Sequence, residues 1–204
     1  MKFGASCAAH EIIDHLKFFD YVEVWDQQMY LQGYHAKPGE SIRVGHQFRP
    51  YVVVHTPAAP KERILMLMVE NEPGDQPDQV RDVLHGNDFL LDVGHAFTSN
   101  RYLSTVDPKV MFDFDRWFSL RPQALHLHDC RIDIPNPWGK PDAADHQLLG
   151  HGVLPLRELL RRAEHEGVLY CTVECFMDGF GARSFSAVEK RRALDMVLSP
   201  GSRD

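Results

Sequence analysis

An α/β fold built on parallel strands is what this sequence predicts, and two features carry the prediction. Short apolar runs of β character recur along the chain, and segments of helical periodicity fall between most of them. The runs are KFGAS (2–6), YVEVW (21–25), YVVVHT (51–56), ILMLMVEN (64–71), FLLDVGHA (89–96), ALHLHD (124–129) and LYCTVEC (169–175). The chain of 204 residues holds one domain with a full core, and neither a repeat nor a boundary divides residues 1–204.

The helices are read from apolar spacing and end signals. Residues 10–19 carry Ile12, Ile13, Leu16 and Phe19 at helical intervals. Residues 77–85 open on Pro77 and carry Val80, Val83 and Leu84. Residues 108–118 follow Asp107 as N-cap and stripe Val110, Met111, Phe114, Trp117 and Phe118. Residues 155–166 stripe Leu156, Leu159, Leu160 and Ala163 and stop at Gly167. Ser186 and Glu189 form a capping box for a last helix running to about Leu198.

Two connections break the rhythm. Residues 26–50 are long, polar and rich in turn formers, as expected of a lid or a cover over an exposed sheet edge. Between His55 and Ile64 only TPAAPKER remains, too short for the helix of a parallel crossover. One helical layer is therefore expected to be missing there.

Composition narrows the function. A net charge of −7 does not attract a polyanion, so nucleic acid is not an expected partner. No stretch reaches the ~20 apolar residues of a membrane span, and the N-terminal segment lacks a continuous signal-type core, so a cytoplasmic location is expected. Cys7, Cys130, Cys171 and Cys175 form no CxxC pair and read as buried thiols. The twelve histidines bear on function only where they converge.

Convergence is what the strand ends suggest. Four apolar runs end in an ionisable residue: His55, Glu70, Asp92 and Glu174; a fifth carries His126, His128 and Asp129. An acid at the end of an apolar strand is costly to bury without a partner, and several from separate strands suggest a shared cation. Alternation puts Tyr170 and Thr172 on the face of Glu174, with Cys171, Val173 and Cys175 turned toward the helices.

In chain order, the segments VENEPGD, LDVGHAF, LHLHD, DHQLLGHG and VEC resemble the xylose-isomerase-like TIM-barrel superfamily, which includes sugar isomerases, epimerases and endonuclease-IV-type nucleases. The similarity covers about residues 50–180, with a looser match at the two opening strands. It implies a TIM-type (β/α) barrel, shortened to about seven parallel strands, because a complete barrel typically takes ~250 residues. It also implies one divalent metal (Mn, Co, Zn, Fe or Mg) held by Glu70, Asp92, His126 and Glu174. His95 matches a residue that contacts substrate in the isomerases and a further zinc in the nucleases. His55 stands at a strand end where the nucleases place another zinc ligand, and His146 matches the histidine of the family's Asp-x-His segment before a Gly-x-Gly turn. The departures lie at Ala144, where the family has an aspartate that here stands one place on as Asp145, and at Gly150-His151-Gly152, where many members have Gly-Glu-Gly.

The leading expectation is a metal-dependent isomerase or epimerase of a small sugar or hydroxy-carbonyl compound. Glu70 and Glu174 would move the proton, and His95, His128 and Arg131 would meet the substrate. The alternative is a hydrolase of phosphoesters with two or more metals, the second near His55 and Glu70 or near His95, His146 and Asp145. A third reading is a non-catalytic metal-binding barrel with a protein partner; the apolar segment MFDFDRWF would suit a homodimer interface. Glu23 is expected to orient the site or serve the structure, and Asp129 to act as a supporting hydrogen-bond acceptor.

Overall fold

The computed structural model describes residues 1–7, 11–24, 48–55, 63–71, 74–103, 114–133, 144–178, 181–182 and 185–199, with backbone alone for 24, 48–55, 63–67, 99–103 and 181–182. The first half contains β1 (Lys2–Cys7), α1 (Ile12–His15), β2 (Tyr21–Val24), β3 (Phe48–His55), β4 (Arg63–Glu70), α2 (Pro77–Leu84), β5 (Asp88–Asp92) and α3 (Val93–Leu103). The second contains α4 (Phe114–Phe118), β6 (Ala124–Leu127), β7 (Asp129–Arg131), β8 (Ala144–Gln147), α5 (Leu156–His165), β9 (Tyr170–Val173), β10 (Met177–Asp178), β11 (Gly181–Ala182) and α6 (Ala187–Leu198).

Six strands form an all-parallel sheet in the order β2-β1-β9-β6-β5-β4. The expected α/β class is thus present. The expectation that every main strand runs parallel is corrected by β3, which pairs antiparallel with both β2 and β4. The physical reason is the short link across residues 56–62. It cannot carry a strand back to its starting end, so β3 and β4 pair as neighbours running in opposite directions. Strand β3 also begins at Phe48, inside the segment read as a loop; the rest of the 26–50 connection lies outside the described residues.

Alternation along the strands divides their side chains between two faces. Phe89, Leu91, Leu125, Leu127, Cys171 and Val173 face the helices and join Val80, Trp117, Leu159 and Leu194 in the main core. Trp117 and Phe118 of α4 are thereby buried in this chain's own core, while the rest of the 108–118 segment up to Asp113 lies outside the described residues. The opposite face carries a small apolar floor of Met68, Leu90 and Ala124 with Tyr170 packed on it. Tyr21 and Thr172 hydrogen-bond on that face at 2.9 Å. One step further along the same strands come Glu23, Glu70, Asp92, His126 and Glu174.

Helix α3 and the small sheet were not legible in the sequence. FLLDVGHA reads as one strand, yet the strand stops at Asp92 and a helix starts at Val93. A second, mixed sheet of order β11-β10-β8-β7 stands beside the main one. The last helix follows its predicted cap: Ser186 N–H donates to Glu189 Oε2 at 2.9 Å and Glu189 N–H to Ser186 Oγ at 3.3 Å. Ser186→Ala removes one half of that exchange and is expected to cost about 1 kcal/mol in urea unfolding. An unchanged midpoint would show the cap to be dispensable. No described helix is long and apolar enough to cross a membrane.

Candidate metal centre

The polar ends of the parallel strands converge. Glu70 closes β4, Asp92 closes β5, His126 lies near the end of β6 and Glu174 follows β9 directly. Each offers one ligand atom, and these atoms all lie within 4.8 Å of one another. All four side chains are buried.

His126 sits at the middle. Its Nδ1 is 2.9 Å from Glu174 Oε2, 3.1 Å from Glu70 Oε1 and 3.8 Å from Asp92 Oδ2. Its Nε2 is 2.9 Å from Glu23 Oε1. With Nε2–H donated to Glu23, the Nδ1 lone pair points into the three remaining carboxylates. A carboxylate on the far nitrogen of a ligating histidine fixes tautomer and ring orientation in this way. Glu23 is therefore an integral part of the centre.

The acids are held in different states. Burial raises the Glu23 carboxyl above its usual range, against the pull of His126, and the charges of Glu174 and Glu70 add to the rise. Burial also opposes ionisation of Asp92, but His128 and His95 beside it outweigh this and hold it well below the usual range. Glu174 is likewise held well below, burial being overcome by His126 and then His146. Glu70 is lowered against its burial by His126.

One buried atom bears on what the cluster could hold. Asp92 Oδ1 accepts from His95 N–H at 2.7 Å and faces His128 Nε2 at 2.9 Å. Its Oδ2 is buried and, among the described residues, has no hydrogen-bond partner. A buried carboxylate oxygen without a donor is costly, and a cation removes the cost. The donor set of three carboxylates and one imidazole suits a divalent first-row metal.

A second group overlaps the first. Asp92, His95, His128 and His146 also bring ligand-type atoms within 4.8 Å of one another. His95 Nδ1 lies 3.0 Å from the Asn71 carbonyl and donates to it, and Asp145 Oδ2 is 3.8 Å from His95 Nε2. His146 Nδ1 is 3.1 Å from Asp145 Oδ1 and its Nε2 3.7 Å from Glu174 Oε2. Burial works against a charge on His146, yet hydrogen bonds to Asp145 and Glu174 push it up to about 10. The backbone of His146 has φ 54°, the left-handed region that non-glycine residues adopt at a cost, often at functional sites.

Two expected site residues are not brought in. The register sets His55 against Tyr21, at the opposite end of the sheet from Glu70, because β3 runs antiparallel. The strand end that carries His55 is therefore not the end that carries the acids; its side chain lies outside the described residues. Arg131 is spent on Asp133 at the surface, its Nε donating at 3.0 Å. His128, expected to face substrate, is fully buried and bonds Asp92 instead. His15 is buried, and its Nδ1 donates to the Glu11 carbonyl at 3.1 Å.

Asp129 ties down the loop that follows β8. Its carboxylate accepts from the backbone N–H groups of Cys130, Gly150, Gly152 and Leu154, at 2.8–3.1 Å. A Cβ on Gly152 would come within 2.3 Å of Asp129 Oδ1, so the loop closes on the carboxylate only with glycine there. Asp129→Asn turns an NH₂ group toward two of those donors and is expected to cost about 3 kcal/mol of stability. Equal unfolding midpoints for the two proteins would contradict that role.

Sequence reasoning missed Lys190, a buried lysine whose Nζ donates to the Ser6 carbonyl at 2.6 Å. The signal was available: Lys190 stands on the helical face of Ala187, Ala193, Leu194 and Val197. Burial lowers its pKa. Comparisons of the chain with protein-family models, with curated proteins and with solved structures find no match.

Proposed function

We propose that this chain is a divalent-metal-dependent isomerase or epimerase of a small hydroxy-carbonyl compound, on a shortened TIM-type barrel that β3 closes. The observation that carries the reading is the buried Asp92 Oδ2, without a hydrogen-bond partner among the described residues, set beside Glu70, His126 Nδ1 and Glu174. A divalent ion bound there supplies Lewis acidity to adjacent substrate oxygens.

Glu70 and Glu174 lie on strands separated by β5 and β6, so they flank Asp92 and His126. Two carboxylates so placed can take a proton from one carbon and return it to its neighbour. His95, whose ring lies close to Asp92, His128 and His146, is set to contact a substrate oxygen. The ordered resemblance of VENEPGD, LDVGHAF, LHLHD and VEC to the xylose-isomerase-like superfamily supports the same reading.

A second reading is a binuclear phosphoester hydrolase. It is favoured by one observation, the overlapping group of Asp92, His95, His128 and His146, with Asp145 beside it. Metal content and deuterium exchange separate the two. The isomerase reading expects one ion per chain and deuterium entering the α-carbon of a small ketose or aldose in D₂O. It also expects Glu70→Gln to lose turnover while still binding metal, more weakly. Two ions per chain, no exchange and cleavage of bis(p-nitrophenyl) phosphate would favour the hydrolase.

A further inference from the structure

The geometry points to His128 as a positioning residue: it is locked as the Nε2–H tautomer, holds Asp92 by Oδ1 and so turns Oδ2 toward the metal without being a ligand itself. This inference rests on the metal reading proposed above and refines it.

The backbone N–H of His146 points at His128 Nδ1 from 2.8 Å. A backbone N–H can only donate, so Nδ1 is the acceptor and carries no proton. The proton of a neutral ring then sits on Nε2, which faces Asp92 Oδ1 at 2.9 Å. The Asp129 carbonyl is also near Nδ1, at 3.4 Å, but it is another acceptor and the longer contact. A protonated Nε2 offers no lone pair to a cation.

The ring has no freedom to choose otherwise. One side stacks on His146, with centroids 4.0 Å apart and planes 8° from parallel. On another side lies Gly94, where a Cβ would fall 1.9 Å from His128 Cε1. The His146 backbone that supplies the N–H is held in the left-handed region, φ 54°. Oδ1 thus receives two donors, His95 N–H and His128 Nε2–H, and Oδ2 receives none from the described residues. Of the two overlapping groups that have ligand spacing, the one counting His128 as a ligand lacks that donor. Only Glu70, Asp92, His126 and Glu174 keep a full set.

Two substitutions separate the roles of the two ring nitrogens. Gln at 128 puts an amide N–H near the place of Nε2 and restores the bond to Asp92. Asn puts its polar atoms near Nδ1 and cannot reach Asp92. Zn²⁺ affinity, from chelator competition, is expected to fall ~10–100-fold in His128→Asn and to stay within about fivefold of the parent in His128→Gln. ¹⁵N-histidine spectra of the parent protein, metal-free and with Zn²⁺, are expected to show His128 protonated at Nε2 in both. Metal-loaded spectra with Nε2 bound to zinc, or His128→Asn binding as tightly as the parent, overturn the inference while leaving the metal reading intact. A parent protein that binds no divalent metal overturns both. Circular dichroism and unfolding midpoints check that each variant folds; if His128→Asn does not, the ¹⁵N spectra of the parent decide.

Discussion

Asp92→Asn is expected to fold and to bind divalent metal more weakly by over ~100-fold, beyond the 10–100-fold typical of losing a supporting residue. The substitution keeps Oδ1, and with it the bonds from His95 N–H and His128 Nε2. What changes is the other oxygen, the one without a hydrogen-bond partner among the described residues. An NH₂ there points protons at the acids around His126 and satisfies them, where the carboxylate left them facing a third acid. The metal-free protein therefore keeps its fold, and the cation loses both a ligand and a charge. Calorimetric titration with Zn²⁺ or Mn²⁺, beside a melting curve in chelator, checks both halves. A variant that binds as the parent does would remove Asp92 from the centre.

Gly94→Ala is the second large effect. A Cβ at this position overlaps the His128 ring, at 1.9 Å from Cε1 and 2.6 Å from Nδ1. The ring cannot retreat, because His146 is stacked against it and Phe176 against His146 in turn. Overpacking of this kind costs about 1–3 kcal/mol and sometimes more. Displacing His128 also frees Asp92 to rotate, so metal affinity is expected to fall with stability. In a His128→Ala background the same glycine change should cost little, because the clash has gone. A full penalty in both backgrounds would place the cause in the helix start and not in the ring.

Much of the centre was legible as a pattern of alternation. Tyr170, Thr172 and Glu174 had to share a face if the segment was a strand, and Met68 with Glu70 followed the same rule. Apolar runs ending in Glu70, Asp92 and Glu174 marked the end of the sheet where charge collects. The direction of β3 was within reach, since the short link after His55 excluded a parallel return. Reading the link as a missing helix kept His55 beside Glu70, when an antiparallel strand carries it to the other end. Helix α3 was hidden because VGHAFTSNRYL has little amphipathic contrast and places Gly94 in its first turn. The role of His128 was beyond the sequence: its tautomer is set by a backbone N–H from β8, eighteen residues further along and in a different sheet.

In the proposed centre a cation completes the buried cluster of Glu70, Asp92, His126 and Glu174. The most direct measurement is anomalous diffraction from crystals grown with Zn²⁺ or Co²⁺. One peak is expected, at about 2.0–2.3 Å from Asp92 Oδ2, His126 Nδ1 and the carboxylates of Glu70 and Glu174. A lone peak among His95, His128 and His146, or no peak at all with the metal at millimolar concentration, would contradict it.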